Sequence, residues 1–291
     1  MNYFFQDLNK EEKKEWDQLV EKNEGSLFSL STFLDATAEN WCVLYNENKT
    51  GGMICAYTKR MGIEILYTPF FIRYAEWIGE KPDFQVAKKI LKERFKVSTF
   101  HFKSFAFGGK ERIHQELNPS ELRLSDLAKR SLKKANTYQV FREFLPEKLM
   151  ACIHQELSKK VATLNPKTLP LLEKVAVSFP DSQQIQYNIY EGEDWKGAAW
   201  FIENERKVYY IKGACEKDVK SNGGMYMLIF QGILYAQEKN KIFDFGGSNV
   251  ASVREFNIKF GSKDKKYAHV IWNEAPFWWK FLQRLKKIVK K

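Results

Sequence analysis

The chain has few cysteines and few histidines, and neither set is arranged for chemistry. Cys42, Cys55, Cys152 and Cys215 are scattered through 291 residues with no C-x-x-C pair. This excludes a disulfide framework and a zinc ribbon, and the thiols are expected to be reduced. His101, His114, His154 and His269 stand alone in sequence, so no metal ligand set is expected. No apolar run is long enough to cross a bilayer. The opening residues, MNYFFQDLNKEEKKEW, lack the basic, apolar and small-residue order of a secretory signal. The expected location is therefore cytoplasmic. No G-x-x-x-x-G-K-[ST] loop and no nucleophile elbow is present, which removes support for nucleotide hydrolysis by a P-loop and for serine hydrolase chemistry. Asp244–Gly246 reads DFG, yet the glycine-rich loop, the V-A-I-K strand and the H-R-D loop of a kinase are all missing.

Apolar and basic residues are plentiful. Hydrophobic residues make up 44% and aromatics 15% of the chain, enough for a sizeable core and against global disorder. The formal net charge is +11. Residues 280–291, KFLQRLKKIVKK, hold six of those positive charges and no acid, leaving +5 on the remainder. A second cluster, Lys129, Arg130, Lys133 and Lys134, lies on an expected helix. Such clusters suit phosphate-rich partners, namely nucleic acid, coenzyme phosphates or an anionic membrane, or else form a solvated basic face. The tail APFWWKFLQRLKKIVKK places Phe277, Trp278, Phe281, Leu282, Leu285 and Ile288 along one stripe. Docking on the first half is expected, with peripheral contact to anionic lipid at the inner membrane face as the other role.

Hydrophobic periodicity gives two halves of similar order. A helix is expected over residues 9–23, with Trp16, Leu19 and Val20 on one side. Strands follow at Trp41–Tyr45, Met53–Lys59 and Ile63–Tyr67, then a helix at Phe84–Phe95 and a strand at Ser98–Phe102. In the second half, helices at Leu145–Leu164 and Leu169–Phe179 precede strands at Ile185–Tyr190, Ala198–Ile202 and Val208–Ala214. A helix at Met225–Glu238 and a strand at Ile242–Phe245 complete it. The basic helix LSDLAKRSLKKA joins the halves. The spacing places domains at 1–125 and 126–275, with a basic helix at 276–291.

Two segments carry the functional signal. Phe243–Gly261, FDFGGSNVASVREFNIKFG, runs from a strand through a tight glycine turn into a short helix, at the strand end where open α/β sheets place ligands. Lys217–Gly224, KDVKSNGG, sets paired glycines at a helix start, where unsatisfied N–H groups and the helix dipole favour an anion.

With these residues assembled, the chain resembles the FemAB-like family of the GNAT superfamily. AKRSLKKA, VYYIKGACEKDVKSNGGMYMLIFQGILYAQ, FDFGGSNVASVREFNIKFGSK and YTPFFIRYAEWIG are similar, in order and spacing, to its basic helix, its strand–loop–helix, its closing motif and its Pro-aromatic stretch. The resemblance implies an α/β fold of α+β type, with two GNAT-like domains, each a mixed, largely antiparallel sheet flanked by helices. It implies an acyltransferase, N-acetyltransferase-like, moving an acyl or aminoacyl group from an activated carrier to an amine of a cell-envelope precursor or polar metabolite. The co-substrate is acyl-CoA or aminoacyl-tRNA, with no permanently bound cofactor. One departure counts against tRNA: members using it carry Lys directly after the central Phe, and here Phe256 is followed by Asn257, with Lys259 two residues on. The alternative is a non-catalytic binding module with a degenerate site, recruited to RNA or anionic membrane by its basic helices.

Gly213, Lys220, Ser221, Asn222, Gly223 and Gly224 are the expected donor-binding residues. Gly213 marks a strand bulge whose amide would face an oxyanion, or simply relieves a packing clash. On this basis Gly224→Asp would abolish donor binding by setting a carboxylate among phosphate-facing amides. Asp244 binds or deprotonates the acceptor amine, or caps the turn after it. Tyr226 protonates a leaving thiolate, or packs as an aromatic. Arg73, Tyr74, Ser248, Arg254, Asn257 and Lys259 are the candidate acceptor-binding residues, against a surface or structural role for each.

Overall fold

The computed structural model describes residues 2–157, 166, 168–247 and 250–281. The chain forms two compact units, one from Met1–Arg112 and Tyr267–Lys291, the other from Ile113–Lys266. The sequence spacing had set the boundaries at 125/126 and 275/276, whereas the units divide at 112/113 and 266/267.

Unit 1 begins with β1 (Tyr3–Gln6) and α1 (Lys10–Lys22), followed by α2 (Ser31–Thr37), β2 (Asn40–Asn46), β3 (Gly51–Arg60), β4 (Ile63–Tyr67), β5 (Trp77–Gly79), α3 (Phe84–Arg94) and β6 (Val97–Phe102). The start of α1 is a capping box. Asn9 Oδ1 accepts from the N–H groups of Glu11 and Glu12, and Glu12 returns a carboxylate oxygen to the Asn9 N–H at 2.8 Å. Such a cap is worth about 1 kcal/mol. Trp16 and Val20, one turn apart, then enter the core.

The chain next enters unit 2 through β7 (Lys110–Leu117). There follow α4 (Asp126–Ala135), β8 (Gln139–Arg142), α5 (Pro146–Leu157), α6 (Leu169–Ser178), β9 (Gln184–Glu191), β10 (Asp194–Glu203), β11 (Lys207–Cys215), α7 (Lys217–Ser221), α8 (Gly224–Glu238), β12 (Ile242–Gly247) and α9 (Ala251–Ile258). Finally β13 (Lys263–Asn273) carries the chain back to unit 1. The expected helix over Leu145–Leu164 is described to Leu157; residues 158–164 lie outside the described residues.

Within each unit the strands follow one topology. In unit 1 the order is β1-β2-β3-β4-β6-β13, antiparallel throughout except for the parallel pair β4/β6, with β5 added alongside β3. In unit 2 the order is β8-β9-β10-β11-β12-β7, again antiparallel except for one parallel pair, β11/β12. The sixth strand of each unit is the one that follows the other unit's parallel pair in sequence. β7 follows β6 in the chain but pairs with β12, and β13 follows β12 but pairs with β6. The halves therefore exchange their last strands, which is why the boundaries fall inside β7 and β13.

Parallel strands that separate leave a wedge between them, and in unit 1 the wedge is filled by the chain itself. β4 and β6 pair at three positions, ending at Tyr67–Thr99. Residues 68–75 then turn back into the gap. The Ala75 N–H donates to His101 O, the Lys103 N–H donates to Ala75 O, both at 2.9 Å, and Thr68 Oγ1 accepts from the His101 N–H. Between Ile54, Leu66, Pro69, Ile72 and Phe100 there remains a cavity of about 10 Å³, room for one water at most.

His101 makes this stitching sensitive to acid. Its burial, and then the neighbouring His269 ring with centroids 4.8 Å apart, hold its pKa down to about 4 from 6.5. An unfolded histidine takes its proton near 6.5, so between those two values the unfolded chain binds more protons than the folded one. Stability of unit 1 therefore falls as pH drops from 6.5 towards 4. His101→Asn is expected to flatten this loss by about 1–2 kcal/mol, allowing for partial solvent screening. Urea melts at pH 7 and pH 4 check it, and parallel losses in both proteins would remove His101 from the account.

Residues 277–281 are helical, and Trp279 packs on Ile63 and Ala275 within unit 1. The rest of the expected basic tail helix lies outside the described residues. No helix among the described residues is long and apolar enough to cross a membrane.

Candidate functional site

In unit 2 the parallel pair is as short as its counterpart in unit 1. β11 and β12 pair at Lys207–Ile242, Val208–Phe243 and Tyr209–Asp244, and the ladder ends there. β11 continues to Cys215 and β12 to Gly247. Just past the last pair, Asp244 Oδ1 accepts the Gly246 N–H at 2.9 Å. Gly246 adopts φ +90°, which a glycine accepts without strain. This is an Asx-type turn at a strand end.

Asp244 is completely buried and belongs to an ionic group. Glu116 lies opposite it on β7 and is ion-paired with Lys207 of β11, and His114 Nδ1 stands 3.9 Å from an oxygen of each carboxylate. The potential ligand atoms of His114, Glu116 and Asp244 lie within 4.8 Å of one another. Lys207 already supplies a positive charge to this group, so the cluster is balanced by a side chain of the fold.

The bulge on β11 falls at Ile211 and not at Gly213. Trp200 of β10 pairs with Lys212 and Phe201 pairs with Tyr210, leaving Ile211 as the extra residue. Gly213 pairs regularly with Ala199, beside the Tyr210 hydroxyl. Burial raises the Tyr210 phenol above its ordinary pKa, so it stays protonated. A β-carbon at Gly213 would lie 3.0 Å from that hydroxyl and 3.0 Å from Ala198 O, so close packing also requires the glycine.

The expected phosphate loop folds as α7, then Asn222 and Gly223, then α8. Gly223 has φ +89° and touches α4: a β-carbon there would sit 2.3 Å from Ser131 O. Gly224 is buried against Val219. The paired glycines thus let the basic helix α4 press on the start of α8. α8 has no side-chain cap, and among the described residues nothing accepts the N–H groups of Gly224, Met225 or Tyr226. Lys220, Ser221 and Asn222 are exposed beside them, with Ser221 Oγ donating to Asp218 O at 2.7 Å. Lys129, Arg130, Lys133 and Lys134 are exposed on α4. Main-chain donors and cationic side chains therefore meet at one end of α8.

Tyr226 is half-buried, its ring 4.7 Å from Phe256 and 5.7 Å from Phe260. Asn257 is buried, and its Nδ2 donates to Gln115 Oε1 at 2.9 Å, tying α9 to β7. A lysine at this position would bury a charge against an amide. Arg254 is exposed and held by Asp264, with Nε 3.0 Å from Oδ2. Lys259 is half-buried, and its carbonyl accepts from the Ser125 N–H. Ser248 lies outside the described residues. In unit 1, Arg73 and Tyr74 are buried rather than displayed on a surface. The Arg73 guanidinium lies 5.0 Å from the Phe28 ring, and Tyr74 packs edge-on to Phe28 at 5.8 Å.

The structure thus brings Gly213 and Asp244 to the wedge in unit 2, and Lys220, Ser221, Asn222, Gly223 and Gly224 to the start of α8. Tyr226, Asn257 and Arg254 make packing or ionic contacts within the same unit. The sequence reading missed the Ile211 bulge, the Tyr210 phenol and Lys212. A charged residue inside the otherwise apolar run VYYIKGAC was the available signal for the last.

No family model matches the chain, and no curated protein matches it by sequence. Solved structures do match. FemX superposes with a TM-score of 0.63 over 99% of this chain and 100% of its own, at 11% identity. The C-terminal domain of a protein from Agrobacterium fabrum assigned as a lysylphosphatidylglycerol synthetase gives 0.58 over 90% of this chain and 92% of its own, at 12% identity. A tandem GNAT protein from the clavulanic acid biosynthesis pathway gives 0.56 over 94% of this chain and 99% of its own, at 10% identity. At 10–12% identity these likenesses show the fold: a tandem α/β arrangement of the kind seen in FemX and in the tandem GNAT protein.

Proposed function

We propose that the chain is an acyltransferase whose donor site lies in unit 2, between β11 and β12 and at the start of α8. The observation that carries this reading is the parting of the one parallel pair after Tyr209–Asp244, beside a bulge at Ile211. A parallel ladder that stops short leaves strand amides to meet the carbonyls of an extended thioester arm. The equivalent gap in unit 1 is closed by residues 68–75. The uncapped start of α8, with Lys220 and the cations of α4 nearby, suits the phosphates of a coenzyme. Acyl-CoA is thus the preferred donor. Aminoacyl-tRNA is the second, weakened because Asn257 is engaged with Gln115 where a lysine would be needed.

In the proposed reaction an amine of a polar metabolite or envelope precursor attacks the thioester carbonyl. A β11 amide near the bulge stabilises the oxyanion, and the thiolate leaves. The amine nitrogen gains the acyl group and loses a proton, and the coenzyme sulfur gains one. The alternative, a binding module without catalysis, draws on the complete burial of Asp244, the carboxylate nearest the wedge.

Calorimetric titration with acetyl-CoA, and separately with total tRNA, tests the reading. Acetyl-CoA at 100 times its dissociation constant should stabilise the chain by about 2.7 kcal/mol, and a thiol-release assay with a panel of amines should then show turnover. Binding without turnover on any amine would favour the binding module. Absence of acetyl-CoA binding would remove unit 2 as a coenzyme site.

A further inference from the structure

We infer that Trp200 and Lys212 form an anion-recognition site on the α5 side of the unit 2 sheet, built for a carboxylate or phosphate group of the acceptor. Ala199 and Phe201 belong to the core beneath α8, so by strand alternation Ala198 and Trp200 face the other side, where α5 packs on β10 and β11. The Trp200 ring lies 6.4 Å from Phe144, two residues before the start of α5. Gln186, Trp200 and Lys212 are direct partners across β9, β10 and β11 and so form one row on that face.

The row is unevenly satisfied. Gln186 is engaged: its Nε2 donates to Leu145 O at 3.2 Å and to Asn188 Oδ1 at 2.7 Å, and its Oε1 accepts from the Leu145 N–H. Trp200 is 1% exposed, yet its Nε1–H has no acceptor. Lys212 has no hydrogen bond or ion pair among the described residues, and the remaining residues include no Asp or Glu. Burial alone lowers its pKa, with no carboxylate to offset it. The acids on the adjoining row are taken, Glu116 by Lys207 and Asp244 by the Gly246 N–H.

Both groups donate and neither can accept. A buried donor left unmade is costly, and an unpaired ammonium more so. A water molecule could take one N–H but would leave the charge. An oxyanion with two acceptor atoms satisfies both, whereas a cation satisfies neither and a neutral amine, with one lone pair, accepts from only one and leaves the charge. Lys212 is half-buried and follows the Ile211 bulge, three residues after Tyr209 of the last β11–β12 pair. The inference rests on the transferase reading only in naming the anion as part of the acceptor.

The test uses the full chain, melted in increasing inorganic phosphate or succinate against sodium chloride of equal ionic strength. At least one anion should raise the melting temperature saturably beyond chloride, phosphate marking a phosphate-bearing acceptor and succinate a carboxylate-bearing one. Lys212→Met should weaken that response about tenfold or more, the scale of one charge-assisted hydrogen bond. Without added anion it should melt at or above the wild type, because an uncompensated charge has been removed. Trp200→Phe, which keeps the ring and removes the N–H, should weaken the response to a smaller degree. Equal responses in the wild type and Lys212→Met, or none beyond chloride in the wild type, would overturn the site. Acetyl-CoA affinity should be unchanged in Lys212→Met; loss of acetyl-CoA binding in the wild type would sink the donor reading and leave the anion result intact.

Discussion

Gly223→Ala is expected to lower the melting temperature by roughly 10 °C, following a loss of about 3–5 kcal/mol. Two costs combine. At φ +89° any β-carbon is strained, by about 1–2 kcal/mol. In addition, that carbon would lie 2.3 Å from Ser131 O and 2.9 Å from Ser131 C, backbone atoms of α4 that cannot rotate away. Gly62 is the natural control. It has φ +78° with nothing within 4 Å of a β-carbon, so Gly62→Ala should show the conformational cost alone. A loss at Gly223 no larger than that at Gly62 would mean that α4 moves aside freely. Gly224→Asp belongs to the same argument. A β-carbon at Gly224 meets Val219 Cγ1 at 2.4 Å in a buried setting. That variant is therefore expected to damage the fold first, so any loss of donor binding in it must be judged against its melting curve.

Local elements were largely legible in the sequence because each buries one face with a regular period. The strand now seen at Gly51–Arg60, the helix at Phe84–Arg94 and the helix at Gly224–Glu238 all lie where apolar spacing put them. The exchange of last strands was not legible, and its two strands show why. Lys110–Leu117 reads KERIHQEL, and Lys263–Asn273 starts KDKK ahead of the uncharged residues, Ala268–Asn273, that pair with β6. Their strand state comes from β12 and β6, which lend them a register far away in sequence. The wedge was visible only as a glycine pair. The turn beside it carries a hydrogen bond from Gly246 to Asp244, and nothing in FDFGG reveals which acceptor that N–H takes. Asn257 shows the converse case. The departure from a lysine after Phe256 was plain in the sequence, but its cause, the buried bond to Gln115, needed the third dimension.

Lys207→Met is the second substitution expected to have a large effect, at about 3 kcal/mol or more, since removing one partner of a buried ion pair leaves the other charge uncompensated. Glu116 and Asp244 face each other across β7 and β12, and Asp244 is fully buried. With the ammonium gone, two carboxylates would share a poorly solvated space that has lost its nearest cation. The repulsion falls on the turn that ends the β11–β12 ladder, so the damage should centre on the wedge. Hydrogen exchange at β12 should rise more than exchange in the β9/β10 ladder. Adding Glu116→Gln should recover most of the loss, because it removes the charge that Lys207 had balanced. A double-mutant cycle by urea unfolding would give the coupling directly. If Lys207→Met cost under about 1 kcal/mol, in the range of an exposed pair, the ionic group would not be what holds Asp244 in place.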